Sequence, residues 1–82
     1  MRLDKFLKVS RLIKRRTVAN EACDNARVTA NGRPAKACYD VKVGDVLAIQ
    51  FGARTLRVEV LNVAETVRKD DAVGMYRELP DE

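Results

Sequence analysis

Eighty-two residues, 46% apolar and 34% charged with only four Gly and two Pro, describe one small folded domain and exclude a low-complexity or disordered chain. Four aromatic residues and no Trp leave the core to Val, Leu, Ile and Ala. Residues 1–36 carry ten Lys/Arg against three acids, residues 37–82 six against nine, and a one-sided basic concentration of this kind meets a polyanion.

Residues 2–9 predict a short helix. Leu3, Phe6 and Leu7 make one apolar stripe, and Arg2, Lys5 and Lys8 recur every three residues on the face opposite it. Leu12 and Ile13 follow as a packed turn, then the basic run Lys14-Arg15-Arg16. Thr17 is placed to cap a second helix, with Glu21 favourable to its dipole. Val18, Ala19, Ala22, Cys23 and Ala26 give that helix a face of small residues, and Asn25 is the candidate for a left-handed stop.

From Arg27 the period changes to two. Val28-Thr29-Ala30 leads into Asn31-Gly32, the dipeptide most favoured for a type I′ hairpin, and Arg33-Pro34-Ala35-Lys36 leads out. Pro34 has no N–H to give a ladder, which places the returning arm at an edge. Val41-Lys42-Val43 runs into a Gly44-Asp45 turn, Val46 to Phe51 reads as a strand, and Gly52-Ala53 turns the chain again. Leu56, Val58 and Val60 alternate with Arg57 and Glu59 in a strand from about Thr55 to Val63. The prediction is an α+β fold: two N-terminal helices on an antiparallel sheet of four or five strands, residues 1–63. Residues 64–82, with mixed charge and few apolar anchors, read as a loosely packed extension with a helical turn around Asp70–Tyr76.

The usual chemistry of an active site is missing. There is no His to act as a base near neutral pH, Ser10 is the only Ser and lies among bases, and the four Gly are scattered. Asp70-Asp71 read as solvated neighbours. Cys23 and Cys38 lie fifteen positions apart with no Cys-x-x-Cys spacing, so they read as small core residues rather than a zinc site or a disulfide. No apolar run approaches a membrane span, and no apolar stretch follows the basic start as a signal peptide requires, which predicts a cytoplasmic chain. This reading makes the protein a binder, without catalysis, metal or cofactor.

The basic residues carry the functional signal. Arg outnumbers Lys ten to six, and its planar fork suits phosphate. Arg2, Lys5 and Lys8 from the first helix, Arg11, Lys14, Arg15 and Arg16 from the connection, and Arg33 with Lys36 from the hairpin are the candidate contacts. The second helix is short, small-faced and partly acidic, unlike a major-groove reader, and an anionic membrane would want bulky apolar residues beside the bases. RNA is the favoured polyanion.

Arg2-Leu3-Asp4-Lys5-Phe6-Leu7, the Arg15-Arg16 pair, Val28 with Asn31-Gly32, and Val41 to Gly44-Asp45-Val46 together resemble the αL RNA-binding domain of small-subunit ribosomal protein S-four. Within that superfamily the chain most resembles the stand-alone bacterial group containing the fifteen-kilodalton heat-shock protein and RqcP, with the length and the Met75-Tyr76 tail nearer RqcP. The resemblance implies a monomeric ribosome-associated quality-control factor. It would bind large subunits obstructed by peptidyl-tRNA, touching ribosomal RNA and tRNA while an RqcH-like factor adds alanine to the stalled chain. It also implies that Arg2, Arg11, Arg15 and Arg16 contact RNA and that Asp4 orients one of those arginines. Ala26 stands where the family usually has Gly. The alternatives are a heat-shock-type ribosome recycling factor and a targeting module acting in trans for an RNA-modifying enzyme.

Overall fold

The computed structural model describes residues 1–63 and 73–79. Two helices, α1 (Leu3–Val9) and α2 (Arg16–Asp24), precede five strands: β1 (Val28–Ala30), β2 (Arg33–Pro34), β3 (Val46–Phe51), β4 (Arg54–Val60) and β5 (Tyr76–Leu79). The strands form one antiparallel sheet in the order β2-β1-β3-β4-β5, an α+β arrangement.

The register explains the core. Val28 faces Ile49 and Ala30 faces Leu47, while Leu47 faces Val58, so the buried residues of three strands share one side of the sheet. Leu3, Phe6 and Leu7 of α1 and Ala19 and Cys23 of α2 join them in one apolar cluster. The expected stripe of the first helix is therefore its buried face, and Ile13 with half-buried Leu12 fills the turn after it. At the hairpin, Asn31 (φ 54°) and Gly32 (φ 84°) both adopt left-handed backbone, as a type I′ turn demands. Pro34 pairs with Thr29 in the edge strand, its missing N–H costing no interior ladder bond.

Five expectations are corrected. The first helix starts at Leu3, because Arg2 is extended (φ −63°, ψ 142°) and bridges Asp40. The second starts at Arg16, with extended Arg15 preceding it and accepting the Ala19 N–H, so Thr17 lies inside the first turn and caps nothing. The left-handed stop falls on Ala26 (φ 57°), not Asn25 (φ −90°). There the Arg27 N–H donates to the Ala22 carbonyl and the Ala26 N–H to Cys23, a Schellman closure with a Cβ in the position glycine favours. Cys38 is exposed, since its neighbours Ala37 and Tyr39 supply the inward-facing groups of that turn; Cys23 alone is core, and burial pushes its thiol up to about 11. Lastly, the described part of the expected loose extension is structured. Met75, in a 3-10 turn (Val73–Met75), is fully buried and its carbonyl accepts the Leu61 N–H. Tyr76 to Leu79 then pair with β4. Asp70 and Asp71 lie outside the described residues.

Candidate nucleic-acid interface

The centre of the candidate surface is a carboxylate. Asp4, in the first turn of α1, is 2% exposed and accepts five hydrogen bonds from four residues. Arg2 donates from Nε to Oδ1 (3.2 Å) and from Nη2 to Oδ2 (3.4 Å). The Lys5 backbone N–H donates to Oδ1 at 2.8 Å. From α2, Arg16 Nε and Asn20 Nδ2 reach Oδ2 at 3.3 and 3.4 Å. Arg16 and Asn20 are four residues apart, hence on one helical face. Burial pushes the Asp4 carboxyl up, but the hydrogen bonds from Arg2, Asn20, Arg16 and Lys5 outweigh it and hold the pKa below the ordinary value.

This arrangement sets two arginines from different elements side by side. The Arg2 and Arg16 side chains stay 52% and 47% exposed while their Nε groups are held from below. Arg16, anchored through Nε, keeps both Nη groups, and Arg2, anchored through Nε and Nη2, keeps Nη1, as donors for another anion. Asp4 thus serves both arginines, where the resemblance implied one.

The other predicted bases are spread over α1, the α1–α2 connection and the hairpin arm. Lys8, Lys14 and Arg15 are exposed, and Lys5 is half-buried on α1. Arg11 is exposed and holds a left-handed backbone (φ 63°) just past α1, with its N–H donating to the Lys8 carbonyl. Lys36 is brought beside α1, because the next carbonyl, Ala37, accepts the Asp4 N–H and the Tyr39 carbonyl accepts the Leu3 N–H. Arg33 is exposed on β2 at the sheet edge, and no contact ties it to the Asp4 group among the described residues.

Sequence reasoning missed Asn20, although the Arg16/Asn20 spacing facing an acidic residue on the preceding helix was a readable signal. It also missed why Asn31 and Asp45 matter beyond their turns. Asp45 Oδ2 accepts from the Tyr39 hydroxyl (2.9 Å) and the Lys42 N–H (3.0 Å), and Oδ1 from Asn31 Nδ2 (3.2 Å). Asn31 Oδ1 in turn accepts the Val46 N–H at 3.0 Å. The hairpin turn is thereby tied to the 36–45 connection that flanks α1. Burial pushes Asp45 up, and these bonds more than reverse it; the same bond to Asp45 raises the Tyr39 hydroxyl. Among the described residues no group of three or more His, Cys, Asp or Glu could hold a metal ion, and no helix is long and apolar enough to cross a membrane.

The S4 domain model matches residues 1–47. The chain is 60% identical over 76 residues to the RQC P-site tRNA stabilizing factor of Halalkalibacterium halodurans, covering 93% of this chain and 86% of that one. It is 52% identical over 82 residues to the Bacillus subtilis protein of the same name, covering 100% and 95%. The solved structure of trimeric Vibrio cholerae Heat Shock Protein 15 superposes with a TM-score of 0.89 at 28% identity, over 96% of this chain and 81% of that one. The chain therefore belongs to the S4 domain family and, within it, to the family of the RQC P-site tRNA stabilizing factors.

Proposed function

We propose that this chain is a non-catalytic RNA-binding factor of ribosome-associated quality control. Acting as a monomer in the cytoplasm, it holds a peptidyl-tRNA on an obstructed large subunit by touching both ribosomal RNA and tRNA. It thereby supports addition of alanine to the stalled chain by an RqcH-like partner. Arg2, Lys5, Lys8, Arg11, Lys14, Arg15, Arg16, Arg33 and Lys36 are the proposed RNA contacts. The observation that carries the reading is the buried Asp4 carboxylate, which fixes two half-exposed arginines from two elements. A merely solvated basic face has no need of such pre-ordering, whereas phosphate recognition gains from it. The names of the relatives supply the ribosomal setting. The only energy such a domain can apply is binding energy, so it acts by prolonging and orienting the residence of a tRNA.

The test is a stalled-translation reporter in cells lacking the protein, read as tail length by gel mobility. Tails should shorten in the deletion strain, return with the wild-type chain, and stay short with Arg2, Arg15 and Arg16 all changed to Glu, because reversed charge repels phosphate. Normal tails in the deletion strain, or full rescue by the triple variant, would overturn the reading. The likeness to Heat Shock Protein 15 favours ribosome recycling as a second reading; under it, obstructed subunits accumulate while tails keep their length.

A further inference from the structure

A factor that joins two RNAs needs two contact surfaces, and the basic cluster supplies one. We infer that the β3–β4 hairpin tip is the second: a stacking site on which Phe51 takes an unpaired RNA base while Arg54 and Arg27 take the adjoining phosphates. This rests on the function proposed above.

The chain has two phenylalanines with opposite fates. Phe6 is fully buried, whereas Phe51 is 44% exposed. Alternation along β3 puts Phe51 on the same side as Leu47 and Ile49, but one pair past the last buried position, where its partner across the ladder is Arg54 rather than an apolar residue. Side chains directly opposite in an antiparallel pair share a face, so ring and guanidinium stand next to each other. Gly52, left-handed at φ 58°, closes the two-residue turn between them and keeps the tip short. The Arg27 carbonyl accepts the Gln50 N–H, which brings exposed Arg27 alongside the same tip. Neither Arg27 nor Arg54 has an ion-pair partner among the described residues. An open aromatic ring flanked by arginines held in no ion pair suits single-stranded RNA, because every base offers a π-face and the charges meet the backbone.

The tip is a separate surface and not a continuation of the first. Arg16 opens α2 and Arg27 follows its end, so the whole nine-residue helix, about 13 Å long, lies between them. The exposed carboxylates of Glu21 and Asp24 lie on the helix between. Two positive surfaces parted by acidic residues favour two RNA segments over one continuous strand.

The experiment uses the full chain and two probes, large ribosomal subunits with a P-site tRNA and the same subunits stripped of tRNA. Phe51→Ala should weaken binding about tenfold and Phe51→Tyr by less than about twofold, since stacking depends on the ring. A loss confined to tRNA-bearing subunits assigns the base to tRNA, and an equal loss on both assigns it to ribosomal RNA. Because the chain has no Trp, Phe51→Trp adds its single Trp, whose emission lies to the red of the two Tyr and should be quenched by the stacked base. Unchanged affinity of Phe51→Ala on both probes, or an unquenched Trp at saturation, overturns the second site. Failure of the wild-type chain to bind either probe overturns instead the function on which the site rests.

Discussion

At the scale of single residues, two backbone and side-chain positions carry measurable energy. Ala26 holds a left-handed backbone that costs an L-residue about 1–2 kcal/mol, and its methyl group is exposed. Ala26→Gly relieves that strain and returns some of it as unfolded-chain entropy, so a net gain of about 0.5 kcal/mol is expected in urea unfolding. A lower midpoint would contradict the Schellman closure. Asn31-Gly32 was legible because the turn is specified by its own two residues, but the stop of α2 was not. Which residue turns left-handed there is set by the start of β1 at Val28, a tertiary demand that overrides the preference of Asn25. Asp4 offers a second test. Its pKa is depressed in the folded state, so the stability it adds is complete above the ordinary carboxylate value of about 3.9 and is lost as pH falls through the lowered one. Asp4→Asn should cost on the order of 2 kcal/mol near neutrality, and the gap to the wild type should shrink between about pH 5 and pH 2. A gap constant over that range would mean the carboxylate charge is not what holds Arg2 and Arg16.

At the scale of elements, the two ends of the chain reverse what local patterns suggest. Thr17 reads as a cap, but the cap position belongs to Arg15, where no side chain bonds the helix. Thr17→Ala should therefore shift stability by less than about 0.5 kcal/mol, against about 1 kcal/mol for loss of a true N-cap. The fifth strand was not visible because Tyr76-Arg77-Glu78-Leu79 lacks alternation of apolar and polar residues. Its place comes from β4, where Val60 meets Tyr76 and Glu59 meets Arg77, the latter also an ion pair. Met75 anchors the approach in the core. Met75→Ala should destabilise by about 2–5 kcal/mol in thermal or urea unfolding, the cost of a core cavity. A loss below about 0.5 kcal/mol would return residues 73–79 to the status of a loose extension. The helices and the three central strands were readable because their apolar spacing and their burial coincide.

For the whole molecule, charge distribution and fold converge. Of the bases concentrated in the first thirty-six residues, most lie on α1, the α1–α2 turn and the start of the 36–45 connection, with Arg2 and Arg16 bound to Asp4, while Arg27 lies past the end of α2 and Arg33 at the sheet edge. Binding through that surface should fall steeply with salt: about five phosphate contacts give a log–log slope near −3.5 to −4.5 by counterion release. A slope near zero would remove the basic face from the account. The most direct test is co-sedimentation with large subunits carrying peptidyl-tRNA, comparing wild type, Arg16→Ala and Arg57→Ala. Arg16 loses one of the Asp4 partners but leaves Arg2, Asn20 and the Lys5 N–H in place, so the fold should persist by circular dichroism. Arg57 lies on the sheet in β4, opposite Ala48, and is not among the hydrogen-bond partners of Asp4. The account predicts that Arg16→Ala leaves the subunit fraction, at a cost of about 1–3 kcal/mol in binding, while Arg57→Ala stays with it. Equal retention of the two variants, or equal loss, would contradict it.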